Sequence, residues 1–421
     1  MDSILIQGGK KLEGSVEISG SKNASLPILF ATLLTDSDCS IENVPSLKDI
    51  ETCIQLLKFF GKNITFDESR VVVKQSKKDI STEAPYELIK KMRASFLVAG
   101  PLLARYGKVK VALPGGCAIG VRPVDIHLKG FSKLGAEMNL SEGYVYIYSK
   151  RLKPGVFYLP YPSVGATENL ILASVLTKGK TILKNVAREP EIVDLVNFLN
   201  SIGAKIKGAG TKTIEIEGVK YLGGVKNYRV IPDRIEAGTF LIAGAITKGD
   251  VTVKNCVPAH IKILISKLKE SGQRIIVKNN SVRIISSGKI KPVNIVTKPY
   301  PGFPTDLQAQ WMALMSVADG ESTIKESVFE NRFLHVAELQ RLGANLKIKD
   351  DTVYVYGKSR LSGAPVMVSD LRAGAALILA GLVAEGTTTV THIYHLDRGY
   401  EHIEKKLQKL GAKIKRVCTK A

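Results

Sequence analysis

Ile192-Val193-Asp194-Leu195-Val196-Asn197-Phe198-Leu199-Asn200-Ser201-Ile202-Gly203-Ala204-Lys205-Ile206-Lys207 joins three local signals in one run. Ile192, Leu195, Val196, Leu199 and Ile202 recur at spacings of three and four, which places them on one face of an amphipathic helix. Gly203 follows as the residue suited to a left-handed helix cap. Lys205-Ile206-Lys207 then reads as a short strand. The phrase recurs at Phe60-Gly61-Lys62, Leu134-Gly135-Ala136, Ser271-Gly272-Gln273, Leu342-Gly343-Ala344 and Leu410-Gly411-Ala412. Consecutive glycines of the six are 74, 68, 69, 71 and 68 residues apart. That period is too long for a solenoid unit and suits one supersecondary unit per repeat.

Upstream of these helices lie strands that end near asparagine, as in Thr181–Asn185 and Val251–Asn255. Farther upstream come more uniformly apolar helices, each expected to end at a glycine: Ala94 to Gly107, Ala166 to Gly179, Ala237 to Gly249, Leu307 to Gly320 and Ala373 to Gly386. A helix apolar nearly all round is buried. Six such units, three per domain, imply an α/β protein with helices inside and sheets outside. Ile4 to Ile18 reads as strands with no helix before them, so this segment is expected to complete the last repeat. The expected domains are therefore 22–229, and 1–21 together with 230–421, with chain crossings near 21 and 230 that bracket a cleft holding the active site.

The 421 residues suffice for two or three domains, and 45% hydrophobic with 24% charged residues is the balance of a soluble globular protein. There is no apolar run long enough for a membrane span. Met1-Asp2-Ser3-Ile4 lacks the charged head and apolar stretch of a signal peptide. Cys39, Cys53, Cys117, Cys256 and Cys418 are odd in number and form no Cys-x-x-Cys pair, which argues for a reducing, cytoplasmic setting and against structural zinc. The net charge of +21 attracts polyanions, but the lysines are spread along the chain and aromatic residues are only 6%, so a nucleic-acid partner is not expected.

Chemistry concentrates in Leu113-Pro-Gly-Gly-Cys-Ala-Ile-Gly-Val-Arg-Pro-Val-Asp125, whose glycines and prolines make it a loop. Cys117 sits in its middle with Arg122 five residues on, and a guanidinium favours thiolate. Free cysteines are more often buried small hydrophobes, yet the glycine-rich setting disfavours packing. Cations gather at or near expected helix starts: Lys22, Arg93, Arg122, Arg332, Arg372 and Arg398. The helix dipole disfavours cations there, whereas arginine with free backbone N–H groups makes an anion site. The competing reading, that each arginine pairs with a neighbouring aspartate, is strongest for Asp397-Arg398. Asp306, in Pro301-Gly-Phe-Pro-Thr-Asp306, fits an N-cap and a general base equally well. His127, His335 and His395 lack metal-ligand spacing and read as satisfied structural histidines. There is no Walker loop, dinucleotide fingerprint or hydrolase serine elbow, and no cofactor or metal is expected.

The Leu113–Asp125 loop resembles the active-site loop of the UDP-N-acetylglucosamine 1-carboxyvinyltransferase family. The resemblance extends through Gly20-Ser-Lys-Asn23, Ser163-Val-Gly-Ala-Thr167, Ala187-Arg-Glu-Pro-Glu-Ile192, Pro232-Asp-Arg-Ile235, Phe303-Pro-Thr-Asp306, Phe329-Glu-Asn-Arg-Phe333, Asp370-Leu-Arg372 and Tyr394-His-Leu-Asp-Arg-Gly-Tyr400. It implies two domains of three βαβαββ units, an inside-out α/β barrel. It also implies transfer of the enolpyruvyl group of phosphoenolpyruvate to the 3′-hydroxyl of UDP-N-acetylglucosamine. In that resemblance Cys117 matches the proton donor and site of a covalent phosphoenolpyruvate adduct, and Asp306 the proposed base. Lys22, Arg122 and Arg398 match the cations around phosphoenolpyruvate, with Asn23 beside them. Arg93, Arg122, Pro123, Val124, Asp125, Ile126, Ser163, Val164 and Val328 match sugar-nucleotide contacts, and Arg332, Asp370 and Arg372 match residues completing the closed cleft. Tyr161-Pro162 stands where some relatives carry Lys-Val, so a lysine contact to the nucleotide is not expected. The sister family that acts on shikimate 3-phosphate shares fold and donor but lacks the Gly-Gly-Cys loop. A non-catalytic, anion- or nucleic-acid-binding relative is the other alternative.

Overall fold

All six repeat glycines take positive φ, from 84° at Gly135 to 106° at Gly203. The helices before them are Lys48–Phe59, Asp125–Lys133, Pro190–Ser201, Lys262–Glu270, His335–Arg341 and Ile403–Lys409. Each closes with the same pair of bonds, as in Gly203 N–H to Asn200 O and Ala204 N–H to Leu199 O. A residue with a Cβ reaches that backbone only with strain. The sequence phrase is thus a helix stop followed by a strand.

The computed structural model describes residues 2–75, 80–113, 124–358 and 360–418. Residues 2–19 with 232–418 form one compact unit, and 20–113 with 124–231 form another. In the second unit the buried helices are Lys22–Ala31, Ala99–Tyr106 with the 3-10 turn Arg93–Val98 before it, and Val164–Ser174. In the first they are Arg234–Ile246, Gln308–Ser316 and Leu371–Gly381. Helices of each trio pack on one another, and sheets lie outside them. Apolar burial on every side explains why these helices lack the periodicity of the surface ones. No described helix is long and apolar enough to cross a membrane.

Most of these helices stop short of the glycine expected to end them: Val164–Ser174 against Gly179, Gln308–Ser316 against Gly320, and Leu371–Gly381 against Gly386. Those glycines, at φ 111°, 141° and 86°, instead turn the chain into the next strand. The Ala94 helix also begins as a 3-10 turn, at Arg93.

One topology repeats among the described sheets. A short first strand pairs in parallel with the strand after the buried helix, which pairs antiparallel with a hairpin. In the third repeat Val156–Tyr158 lies parallel to Lys180–Lys184, with Tyr158 opposite Lys184, and Thr213–Glu217 and Lys205–Lys207 follow. The second repeat departs from this: its first strand is reduced to a bridge between Glu83 and Lys110. Pro85, which has no N–H, follows closely.

The amino-terminal strands serve two sheets. Asp2–Gln7 runs between Thr387–Thr391 and Lys413–Cys418, completing the sixth repeat as expected. Glu13–Glu17 lies parallel to Asp250–Lys254 in the fourth repeat, and Val225–Arg229 lies parallel to Cys39–Glu42 in the first. Asparagines at the strand ends fasten these returns. Asn255 donates to Ile18 O at 2.7 Å and Asn43 to Val230 O at 2.9 Å, both from left-handed backbone. This is the device the asparagine pattern in the sequence reflected.

Candidate active site

In the unit built from 20–113 and 124–231, serine caps present the site residues. Ser21 accepts from the Ala24 amide and so starts the helix with Lys22 first and Asn23 second. Ser163 accepts from the Ala166 amide and puts Val164 in the same place. Lys22 pairs with the buried Asp49 at 3.2 Å. Val124, Asp125 and Ile126 form the start of Asp125–Lys133, where an aspartate suits the dipole. Cys117, Arg122 and Pro123 lie outside the described residues.

His127 marks where several of these segments meet. Its ring stands edge-on to Phe96 at 5.2 Å, and a Cβ at Gly165 would come within 3.4 Å of it. Asn169 fixes its tautomer. The Asn169 Oδ1 accepts from Gly100 N–H at 2.7 Å and its Nδ2 donates to Phe96 O at 3.0 Å, so the amide orientation is determined. That Nδ2 also faces His127 Nδ1 at 3.1 Å, which must accept. Burial, with the charge of Arg93 adding to it, lowers the His127 pKa to about 3, so the ring is neutral with its proton on Nε2. The segments bearing Arg93, Val124–Ile126 and Ser163–Val164 therefore converge here, around a structural histidine.

The other unit holds a three-membered ion cluster. Asp306 Oδ1 accepts from Arg332 Nη2 at 2.9 Å, and Oδ2 from Arg372 Nη2 at 2.8 Å. The arginine side chains are 6% and 4% exposed and the aspartate 26%, so the carboxylate is the reachable member. Asp306 lies inside the 3-10 turn Thr305–Leu307, and the N-cap positions of that turn and of Gln308–Ser316 are Pro304 and Leu307. The N-cap reading of the sequence therefore gives way. Arg372 lies over the Tyr400 ring at 5.5 Å, and Tyr400 hydroxyl meets Thr239 Oγ1 at 2.9 Å and Gln310 Nε2 at 3.0 Å. Burial opposes the Arg372 charge, but Asp306 and then Tyr400 and Asp233 outweigh it and hold the guanidinium firmly protonated. Asp370 caps Leu371–Gly381 through the amides of Arg372 and Ala373. The arrangement offers an ionised carboxylate with lone pairs to spare, braced from behind by two fixed cations.

Other expectations need correcting. Arg332 and Arg398 lie near helix starts and not at them: Arg332 stands in irregular backbone three residues before His335–Arg341, and Arg398 ends the 3-10 turn Leu396–Arg398. Asp397 does not pair with Arg398 either. Arg416, on the final strand, grips Asp397 at 2.9 and 2.5 Å. His127 is satisfied as expected, but His335 Nε2 and His395 Nδ1 are buried with no hydrogen-bond partner among the described residues. Burial lowers both histidine pKa values, that of His335 to about 4. Sequence reasoning missed Asn169, Thr305, Glu326 and Tyr400 as supports of these groups. The one available signal was a polar residue within an apolar helix, as at Asn169. No cluster of three or more His, Cys, Asp or Glu among the described residues is arranged to hold a metal.

Comparison with known proteins adds a chemical context. Residues 6–407 match the family model of EPSP synthase (3-phosphoshikimate 1-carboxyvinyltransferase). The chain is similar to the UDP-N-acetylglucosamine 1-carboxyvinyltransferase of Endomicrobium trichonymphae, at 58% identity over 99% of both chains. It is 55% identical to UDP-N-acetylglucosamine 1-carboxyvinyltransferase 2 of Carboxydothermus hydrogenoformans, over 99% of this chain and 100% of that one. Among solved structures, the enolpyruvyl transferase NikO from Streptomyces tendae matches with a TM-score of 0.89 at 26% identity, covering 99% of this chain and 98% of that one.

Proposed function

This chain belongs to the UDP-N-acetylglucosamine 1-carboxyvinyltransferase family, and from that premise we propose how its residues divide the work. It is a transferase that moves the enolpyruvyl group of phosphoenolpyruvate to the 3′-hydroxyl of UDP-N-acetylglucosamine and releases phosphate, in the synthesis of peptidoglycan. The observation that carries the choice of acceptor is identity above 50% along nearly the whole chain. The shikimate 3-phosphate alternative, whose family model matches residues 6–407, is not favoured beside relatives of that identity.

The reaction is an addition followed by an elimination. It needs a proton for the vinyl carbon, a base for the sugar hydroxyl, and cations for phosphate and carboxylate. Cys117 is the proton donor and adduct site, on the strength of its loop sequence. Asp306 takes the hydroxyl proton, a role supported by its reachable, ionised carboxylate between Arg332 and Arg372. Lys22, Arg122 and Arg398, with Asn23, bind phosphoenolpyruvate. For Arg398, the capture of Asp397 by Arg416 removes a competing neighbour. Arg93, Pro123, Val124, Asp125, Ile126, Ser163, Val164 and Val328 contact the sugar nucleotide. Asp370 sets the helix start from which Arg372 projects. The Val328 amide is already donated to Glu326, so its carbonyl or side chain makes the contact. The enzyme works in the cytoplasm on two small anionic substrates, without a nucleic-acid partner, and fosfomycin inhibits it by alkylating Cys117.

Phosphate release from phosphoenolpyruvate tests the activity. We expect turnover with UDP-N-acetylglucosamine and none with shikimate 3-phosphate, and the reverse preference would overturn the assignment. Peptide mass mapping tests the thiol. Fosfomycin is expected to label Cys117 and leave Cys39, Cys53, Cys256 and Cys418 unmodified. Cys117→Ser should lose both label and turnover, whereas Cys117→Asp should turn over and resist. A label on another cysteine removes Cys117 from the mechanism.

A further inference from the structure

Glu326 follows the strand Glu321–Lys325 and is 3% exposed, a carboxylate enclosed by protein. Its Oε1 accepts from Thr297 Oγ1 at 2.7 Å and from the amides of Val328 at 2.9 Å and Phe329 at 3.2 Å. Its Oε2 accepts from Thr305 Oγ1 at 2.7 Å. With that proton committed, Thr305 Oγ1 turns lone pairs towards Arg332 Nη1 at 3.2 Å, and Arg332 Nη2 donates to Asp306 at 2.9 Å. The direction of each bond is forced, because a guanidinium only donates and an ionised carboxylate only accepts. One buried group therefore reaches both the turn that carries Asp306 and the backbone of residues 328–329.

We propose that Glu326 is a positioning residue for the enolpyruvyl transfer. Through Thr305 and Arg332 it sets the orientation and charge environment of Asp306, and through two amides it shapes the backbone that faces the acceptor. The inference rests on the reading of Asp306 as base and Val328 as an acceptor contact. Ordinary packing does not call for a carboxylate here. A glutamine of the same shape carries an NH2 in place of one oxygen. Turned to Thr305, that NH2 donates where the hydroxyl now donates, so the Thr305 proton loses its acceptor between two groups that only donate. Turned the other way, it confronts the Thr297 hydroxyl and two amides. Either placement disturbs one arm, and the substitution also removes a negative charge that stands one hydroxyl away from Arg332.

The test compares steady-state kinetics and pH profiles of Glu326→Gln, Thr305→Val and Thr305→Ser in the full chain. Glu326→Gln is expected to lower kcat about ten- to a hundredfold, the consequence of one buried group left unsatisfied at the site. KM for UDP-N-acetylglucosamine should rise while KM for phosphoenolpyruvate stays within about twofold, because the 328–329 backbone serves the acceptor. The acidic limb of the kcat profile should move to lower pH, since loss of a negative charge leaves the arginines less opposed. Thr305→Val keeps the charge but cuts the link to Arg332, so it should lower kcat without the limb shift or the change in acceptor KM, and Thr305→Ser should restore the wild-type kcat. If Glu326→Gln does not fold, Thr305→Val carries the test with the buried carboxylate still in place. A wild-type kcat in Thr305→Val, or wild-type kcat, acceptor KM and limb in Glu326→Gln, overturns the proposal. Asp306→Asn examines the underlying reading separately. Normal turnover there removes the base, whereas an inactive Asp306→Asn beside an unaffected Glu326→Gln overturns the positioning role alone.

Discussion

Asp306 carries a guanidinium on each oxygen, and the loss of any one of the three charges has unequal results. Asp306→Ala leaves two arginines, each less than a tenth exposed, without their shared counter-charge. Removing one partner of a buried pair typically costs about 3–5 kcal/mol. Arg372→Met leaves Asp306 still paired with Arg332 and should cost less. Urea denaturation is expected to rank Asp306→Ala well below Arg372→Met. Equal midpoints for the two would mean that the carboxylate does not hold the arginines in place. The sequence could not show this cluster, because Arg332 and Arg372 stand 26 and 66 residues from Asp306. The approach Phe303-Pro304-Thr305-Asp306 marked the aspartate as unusual without deciding its use. Glu326 was less legible still, since Lys325-Glu326 at the end of a strand looks like an ordinary solvated pair.

At the scale of elements, the packing of Ala99–Tyr106 against Val164–Ser174 is the closest fit between buried helices of its unit. A Cβ on Gly100 would stand 2.5 Å from Asn169 O and 2.6 Å from its Oδ1, with Leu172 Cβ at 3.0 Å behind. Backbone cannot yield as a long side chain does, so the two helices must part. Overpacking of this kind typically costs about 1–3 kcal/mol, and separation of Gly100 from Asn169 would add the loss of a buried hydrogen bond. Gly100→Ala is therefore expected to lower the thermal midpoint, and also to weaken sugar-nucleotide binding, because Asn169 fixes His127. A variant with unchanged midpoint and unchanged Kd would contradict that account. The long surface helices and their caps were readable because 3.6-residue periodicity and a left-handed glycine are both local. The first strands of the repeats were not. Val156–Tyr158 and Pro365–Met367 span three residues each, too few for an alternation to register.

For the molecule as a whole, the governing feature is where strands return from distant sequence. The return at Val225–Arg229 is held by Asp194, which accepts from Tyr228 hydroxyl at 2.6 Å and from the Ile231 amide at 3.2 Å. Burial lifts the Asp194 pKa from 3.8 to about 6, against those two hydrogen bonds. The folded chain therefore binds this proton more tightly than the unfolded one. The contribution to stability is complete below about pH 4 and is lost as pH rises through about 6. Two pKa units correspond to roughly 3 kcal/mol. The gap in Tm between wild type and Asp194→Asn should thus move in favour of wild type by roughly 5 °C between pH 8 and pH 5. A gap that does not change with pH would locate the cost of burial elsewhere. The sequence did signal such returns, since Ile4 to Ile18 formed strands with no repeat of their own, but their partners followed only by elimination. The strand Asp2–Gln7 has both neighbours beyond Thr387. On a ribosome adding roughly 5–20 residues per second, it waits roughly 20–80 s for them with both edges bare. Nascent chains of this protein are therefore a natural client for holding chaperones. Translation that stalls late in the message would yield an aggregating product even though most of the protein had been made.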